Sequence, residues 1–236
     1  MFIRFMRIAL QIILRLVGSI EIIGRENIPE SGAYLITPNH LTKADAPLVF
    51  LSLPIPPLKM HYFAAEKWEH HPFYGPIMKR ANAVFIKRGE VDRRALKLAL
   101  DMLERGEVFG IAPEGTRSRS GGLNKAKDGA AYLASRANVP IVPCAVIDAD
   151  LLGRNARRLR RTKLKVVFGE PFCLPDLGRR TRMADMAAYS HLIMVKLADL
   201  LPERYHGYYA DSPALAALKR GEDPFPHCLQ AEGVAP

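Results

Sequence analysis

Residues 81–115 read ANAVFIKRGEVDRRALKLALDMLERGEVFGIAPEG. Ala83-Val84-Phe85-Ile86 is a short apolar run, Val91 to Arg105 places apolar residues at helical spacing, and Val108-Phe109-Gly110-Ile111 is apolar again. The change of period predicts a strand, a helix and a second strand. The alternation extends in both directions. Ala33 to Thr37 and Lys59 to Ala64 read as earlier strands, and Pro140 to Val146 and Leu164 to Phe168 as later ones. Asp128 to Asn138 and about Met183 to Leu201 read as helices. Strands alternating with helices imply an α/β fold with a mixed, largely parallel sheet covered by helices. Ligand sites in such sheets gather in the loops that follow strand carboxyl ends.

Ahead of this pattern, Phe2 to Val17 (FIRFMRIALQIILRLV) is apolar except at Arg4, Arg7, Gln11 and Arg15, whose spacing forms one helical stripe. Sixteen helical residues reach roughly 24 Å, short of a hydrocarbon core of about 30 Å. The interruptions by arginine also disfavour a signal peptide, and GSIEIIGREN, which follows, lacks a small-x-small cleavage pattern. An amphipathic helix at a membrane interface is therefore expected over residues 1–20, with Arg4, Arg7 and Arg15 at headgroup level. The main domain is expected over residues 21–201. A proline-punctuated tail, 202–236, is expected to wrap the surface or fray.

The 236 residues hold 34 Lys+Arg against 24 Asp+Glu, a net charge of +10 that calls for an anionic partner. A hydrophobic fraction of 49% and a charged fraction of 25% exclude wholesale disorder and a polytopic membrane class. Cys144, Cys173 and Cys228 are odd in number and far apart, so a disulfide framework is excluded and a reducing cytosolic setting expected. His70-His71 has no second spaced pair to complete a zinc site and reads as a solvated loop, so no metal is expected. Arg154 to Lys165 (RNARRLRRTKLK) is a dense basic run, either a solvated loop and strand edge or a contact for anionic headgroups.

Three loops carry candidate chemistry, each placed after a strand. In Pro38-Asn39-His40-Leu41-Thr42-Lys43-Ala44-Asp45, a five-residue step rotates about 500° in a continuous helix, so His40 and Asp45 meet only if the chain turns between them. Such a turn lets the carboxylate orient one imidazole nitrogen while the other serves as a base. Phe85-Ile86-Lys87-Arg88-Gly89 places Arg88 to form bidentate contacts with an oxyanion. Ala112 to Gly122 (APEGTRSRSGG) combines glycine freedom, hydroxyls and arginines, as a phosphate-holding loop requires. It lacks the G-x-x-x-x-G-K-[ST] of a P-loop.

Together with Val139-Pro140-Ile141-Val142-Pro143, these three blocks stand in the order of the four blocks of the glycerolipid acyltransferases, and the chain resembles most the lysophosphatidate (1-acylglycerol-3-phosphate) acyltransferases. The resemblance runs from about Ile22 to Phe172. It implies transfer of a fatty acyl group from an acyl thioester, acyl-CoA or acyl-carrier protein, to the sn-2 hydroxyl of lysophosphatidate, with no other cofactor. It further implies His40 as general base, Asp45 as its orienting carboxylate, and Arg88, Glu114, Gly115, Thr116 and Arg117 as the acceptor-phosphate site. None of the cysteines lies in these blocks, which fits direct attack without an acyl-enzyme. Thr42 stands where many members have Ser, Lys43 where a small or apolar residue is common, Asn82 where Gly is usual, and Lys87 where Asp is frequent.

The expected partners are a phospholipid surface at the cytoplasmic face of the membrane, the lysophospholipid and the acyl donor. A same-family enzyme with another acceptor and a non-enzymatic basic membrane-binding module are the rival readings. Nucleic acid is disfavoured, because few aromatic residues accompany the basic clusters.

Overall fold

The computed structural model describes residues 2–54, 59–87, 92–178 and 182–232. In chain order the elements are α1 (Phe2–Val17), β1 (Gly18–Ile23), β2 (Leu35–Pro38), α2 (Asp45–Ser52), β3 (Met60–Ala65), α3 (Tyr74–Arg80), β4 (Ala83–Ile86) and α4 (Arg93–Glu104). They continue with β5 (Val108–Gly110), α5 (Gly129–Ala137), β6 (Ile141–Ile147), α6 (Leu152–Arg157), β7 (Thr162–Phe168), α7 (Met183–Asp199), α8 (Pro213–Lys219) and α9 (Phe225–Ala231). Among the described residues these strands form one sheet in the order β1-β7-β6-β2-β5-β3-β4. Every neighbouring pair is parallel except β6 and β7. The mixed, largely parallel sheet expected from the alternation is therefore the observed one.

Local chemistry explains the best-read elements. Asp92 caps α4 by accepting the Ala95 N–H at 3.0 Å, and Ala95, Ala99 and Leu103, four residues apart, are its buried face. Strand β6 is buried along its whole length, as an interior strand covered on both faces must be. Adjacent residues of the strands face opposite layers. Leu35, Phe109, Ile141 and Ala145 join α4, α5 and α7 to α9 in one core. Ile36, Val108, Val142 and Cys144 join α2, with Leu14 of α1 beside it, in the other.

Two features depart from expectation. The segment after α1 is a strand: β1 pairs with β7 from Gly18↔Thr162 to Ile23↔Val167. A Cβ at Gly18 would lie 2.4 Å from the Thr162 carbonyl oxygen, so only glycine permits the start of this pairing. The described part of the tail, residues 202–232, packs on the domain. Tyr205, Tyr209, Leu215, Phe225 and Cys228 are buried in the same core as the sheet, because each short helix turns an apolar face to α7.

Candidate active site

Strands β2 to β6 end at one edge of the sheet, and the loops that leave this edge build the site. Asn39 follows β2 and is 1% exposed. Its side chain donates to the Val146 carbonyl at 2.9 Å and accepts the Val146 N–H at 2.7 Å, continuing the ladder to β6 beyond the strand. His40 is thereby held at the sheet edge.

The chain turns tightly after His40 and enters α2 at Asp45, which is 2% exposed. Asp45 Oδ2 accepts the N–H groups of Leu41 and Thr42, both at 2.7 Å, and Oδ1 accepts the Thr42 hydroxyl at 2.6 Å. Thr42 Oγ1 in turn accepts the Ala44 N–H at 3.0 Å. The turn therefore exists because one carboxylate gathers the donors of the residues before it. His40 Nδ1 completes the set at 3.1 Å from Oδ2. An ionised carboxylate only accepts, so Nδ1 carries the proton and Nε2 is left as a lone-pair acceptor.

The loop after β5 is stitched to this turn through backbone groups. The Glu114 oxygens accept the N–H groups of His40 and Asn124, both at 2.9 Å, and the Ser118 N–H donates to the His40 carbonyl at 2.8 Å. Glu114 is 1% exposed. Burial raises its pKa above the usual carboxylate range, with the two backbone donors opposing that rise. Each of its oxygens accepts one backbone N–H, so the residue expected in a phosphate site also joins two loops. Gly115 takes φ 65 at the sharp turn that follows, and a Cβ there would lie 2.7 Å from Lys127 Cδ. Its part is to let the loop turn.

A cavity of about 150 Å³ opens beside the imidazole, lined by His40, Lys43, Lys67, Trp68, Thr116, Arg117 and Arg119. Four of these side chains are cations and none is a carboxylate, so the cavity suits an anion beside a base. Thr116 and Arg117, both expected at a phosphate site, line this cavity with His40. Arg88 lies outside the described residues. Lys67 and Trp68 were not singled out; they sit on a short turn after β3, with Lys67 Nζ 5.2 Å from the Trp68 ring centroid. The sole tryptophan next to a lysine at a strand end was the available signal. Arg119 belongs to the loop already read as phosphate-holding.

Helix α1 divides its arginines. Arg4 and Arg15 are exposed, but Arg7 donates to the carbonyls of Phe50, Leu51 and Leu53 at 3.3, 2.8 and 2.7 Å. Arg7 therefore caps the carboxyl end of α2, where a cation is favoured, in place of the expected headgroup contact. Burial, and Arg25 nearby, lower its pKa. Met6, Leu10, Leu14 and Val17 share the half-buried face of the helix, while Phe5, Ile8, Ile12, Ile13 and Leu16 are 55% to 75% exposed. Among the described residues no helix is long and apolar enough to cross a membrane.

An α/β sheet that places a histidine paired with a buried aspartate at the mouth of a cationic cavity has the geometry to move a proton beside an anionic group. The sequence model of the acyltransferase family matches residues 19–147, more than half of the chain, and the chain belongs to that family. It is 26% identical to the 1-acyl-sn-glycerol-3-phosphate acyltransferase of Bacillus subtilis over 84% of this chain and 96% of that one. It is 29% identical to a probable 1-acyl-sn-glycerol-3-phosphate acyltransferase of Mycoplasma pneumoniae over 64% of this chain and 61% of that one. The crystal structure of the 1-acyl-sn-glycerophosphate acyltransferase PlsC from Thermotoga maritima shares the fold with a TM-score of 0.66 at 22% identity, covering 84% of this chain and 79% of that one.

Proposed function

We propose that this acyltransferase moves a fatty acyl group from an acyl thioester to the sn-2 hydroxyl of lysophosphatidate, forming phosphatidate. The observation that carries the reading is the His40–Asp45 pair, 3.1 Å apart, beside a cavity lined by Lys43, Lys67, Arg117 and Arg119. The names of the relatives support the acceptor.

His40 Nε2 takes the proton of the acceptor hydroxyl as the oxygen attacks the thioester carbonyl carbon. Asp45 stabilises the imidazolium that forms. As the tetrahedral intermediate collapses the carbon–sulfur bond breaks, and the imidazolium returns the proton to the departing thiolate. The cations and Thr116 hold the phosphate monoester and bring the hydroxyl within reach of the base. A covalent acyl-enzyme is not part of this route: Cys144 and Cys228 are buried, burial pushes the Cys228 thiol up to about 12, and the exposed Cys173 follows the Phe172–Ile141 bridge at the start of β6, the sheet edge opposite His40. The exposed apolar face of α1 rests in the cytoplasmic leaflet, with Arg4 and Arg15 among its headgroups.

The test is acyl transfer to lysophosphatidate by purified protein, with acyl-CoA and acyl-carrier-protein donors compared and products identified by mass spectrometry. His40→Ala should lower turnover by roughly 10²- to 10⁴-fold while the fold is retained. Full activity of that variant refutes the mechanism, and transfer only to other lysophospholipids refutes the acceptor.

A further inference from the structure

The loop between α6 and β7 sets one leucine among arginines: Arg157, Arg158, Leu159, Arg160 and Arg161 follow one another, with Arg154 one turn earlier. Leu159 is 97% exposed. Its φ of 53° lies in the left-handed region, which costs a leucine free energy and suits glycine.

The loop is nonetheless well tied. The Asn155 carbonyl accepts the N–H groups of Arg158 and Arg160, both at 2.9 Å, and the Leu159 N–H donates to Ala156 at 3.0 Å. The Asn155 side chain donates to the buried Thr162 hydroxyl at 3.1 Å. Arg161 donates to the Gly18 carbonyl at 2.9 Å, the residue directly after α1. The loop that carries the leucine is thus tied, two residues further on, to the carboxyl end of α1, where Leu16 is 75% exposed. Since β7 is antiparallel to β6, this loop also leaves the sheet at the edge that bears His40. Arg154, Arg157, Arg158 and Arg160 are exposed.

An exposed apolar residue flanked in sequence by exposed cations, on a loop tied to the end of a helix with an exposed apolar face, matches a leaflet in which anionic headgroups overlie an acyl layer. We propose that Leu159 and its arginines are a second membrane contact, which inserts into anionic phospholipid and, with α1, turns the His40 edge toward the lipid acceptor. This rests on the membrane reading of α1.

The test is sedimentation of the full chain with phosphatidylcholine vesicles, with and without phosphatidylglycerol. Leu159→Gly keeps the loop, because glycine favours its φ, and should lower partition about tenfold through the loss of one partly buried leucine, with the melting temperature retained. Arg157→Gln, Arg158→Gln and Arg160→Gln combined should lower partition about a hundredfold on anionic vesicles and little on phosphatidylcholine alone. If the wild-type chain binds vesicles and both variants bind equally well, the loop proposal is overturned and the reading of α1 stands. A wild-type chain that binds no vesicle overturns both. If the arginine variants keep their partition but lose transfer from an acidic carrier-protein donor only, the loop docks that carrier and the membrane proposal falls.

Discussion

Replacing Glu114 by Gln separates two roles that the sequence could not tell apart. Each carboxylate oxygen accepts one backbone N–H, from His40 and from Asn124, and the side chain is 1% exposed. Gln keeps the shape but turns an NH₂ toward one of those donors. One hydrogen bond to a charged group is lost, worth about 1.5–3 kcal/mol, and two buried donors then face each other. A loss of about 3 kcal/mol in a chain of this size lowers the melting temperature by roughly 6–12 °C. The His40 backbone is released on one side, and a shift of about 1 Å at a reacting group costs up to about 10²-fold in turnover. Calorimetry and steady-state kinetics with a soluble short-chain lysophosphatidate should therefore show a lower Tm and a lower kcat, with the KM for the acceptor little changed. If Glu114 instead faced the substrate phosphate, removing its charge would relieve repulsion. An unchanged Tm with a tighter KM refutes the stitching role.

Two further predictions concern Arg7, half-buried, and His191, buried. Arg7→Ala removes three carbonyl contacts at the end of α2 and should cost about 2 kcal/mol in urea unfolding; an unchanged midpoint would show that the cap contributes nothing. His191, 6% exposed, lies 2.9 Å from Ser212 Oγ and 3.3 Å from Glu232 Oε1, and burial lowers its pKa below the ordinary 6.5, with Glu232 opposing. The unfolded chain therefore takes up the proton first as pH falls. The stability from neutral His191 is complete above about pH 6.5 and is lost as pH falls through the folded value. Melting curves across that range should show this loss in the wild type and not in His191→Gln; a parallel decline in both assigns it elsewhere.

Some of the site was legible because its chemistry is local. His40 and Asp45 are five residues apart, and the turn that joins them is built from the donors of Leu41 and Thr42. The cap and buried stripe of α4 likewise lie within twelve residues. What the sequence hid was non-local. Strand β1 becomes a strand only by pairing with β7, Gly18 against Thr162, and nothing near Gly18 announces that partner. Arg7 sits on the same stripe as Arg4 and Arg15, yet only the packing of α1 beside α2 brings it to three free carbonyls. Lys67 and Trp68 join the cavity because β3 ends beside the loops after β2 and β5.

The sequence by itself determined the alternation of elements, the excess of positive charge, and the ordered blocks that hold His40, Asp45 and the basic loop. These rest on periodicity and short-range hydrogen bonding, which neighbouring residues settle among themselves. Only the tertiary structure decided that Glu114 joins loops, that Arg7 caps a helix, and that the residues after Leu201 complete the core. A buried carboxylate or guanidinium must find its partners wherever the fold leaves backbone groups unpaired, and those places are set by how distant elements meet.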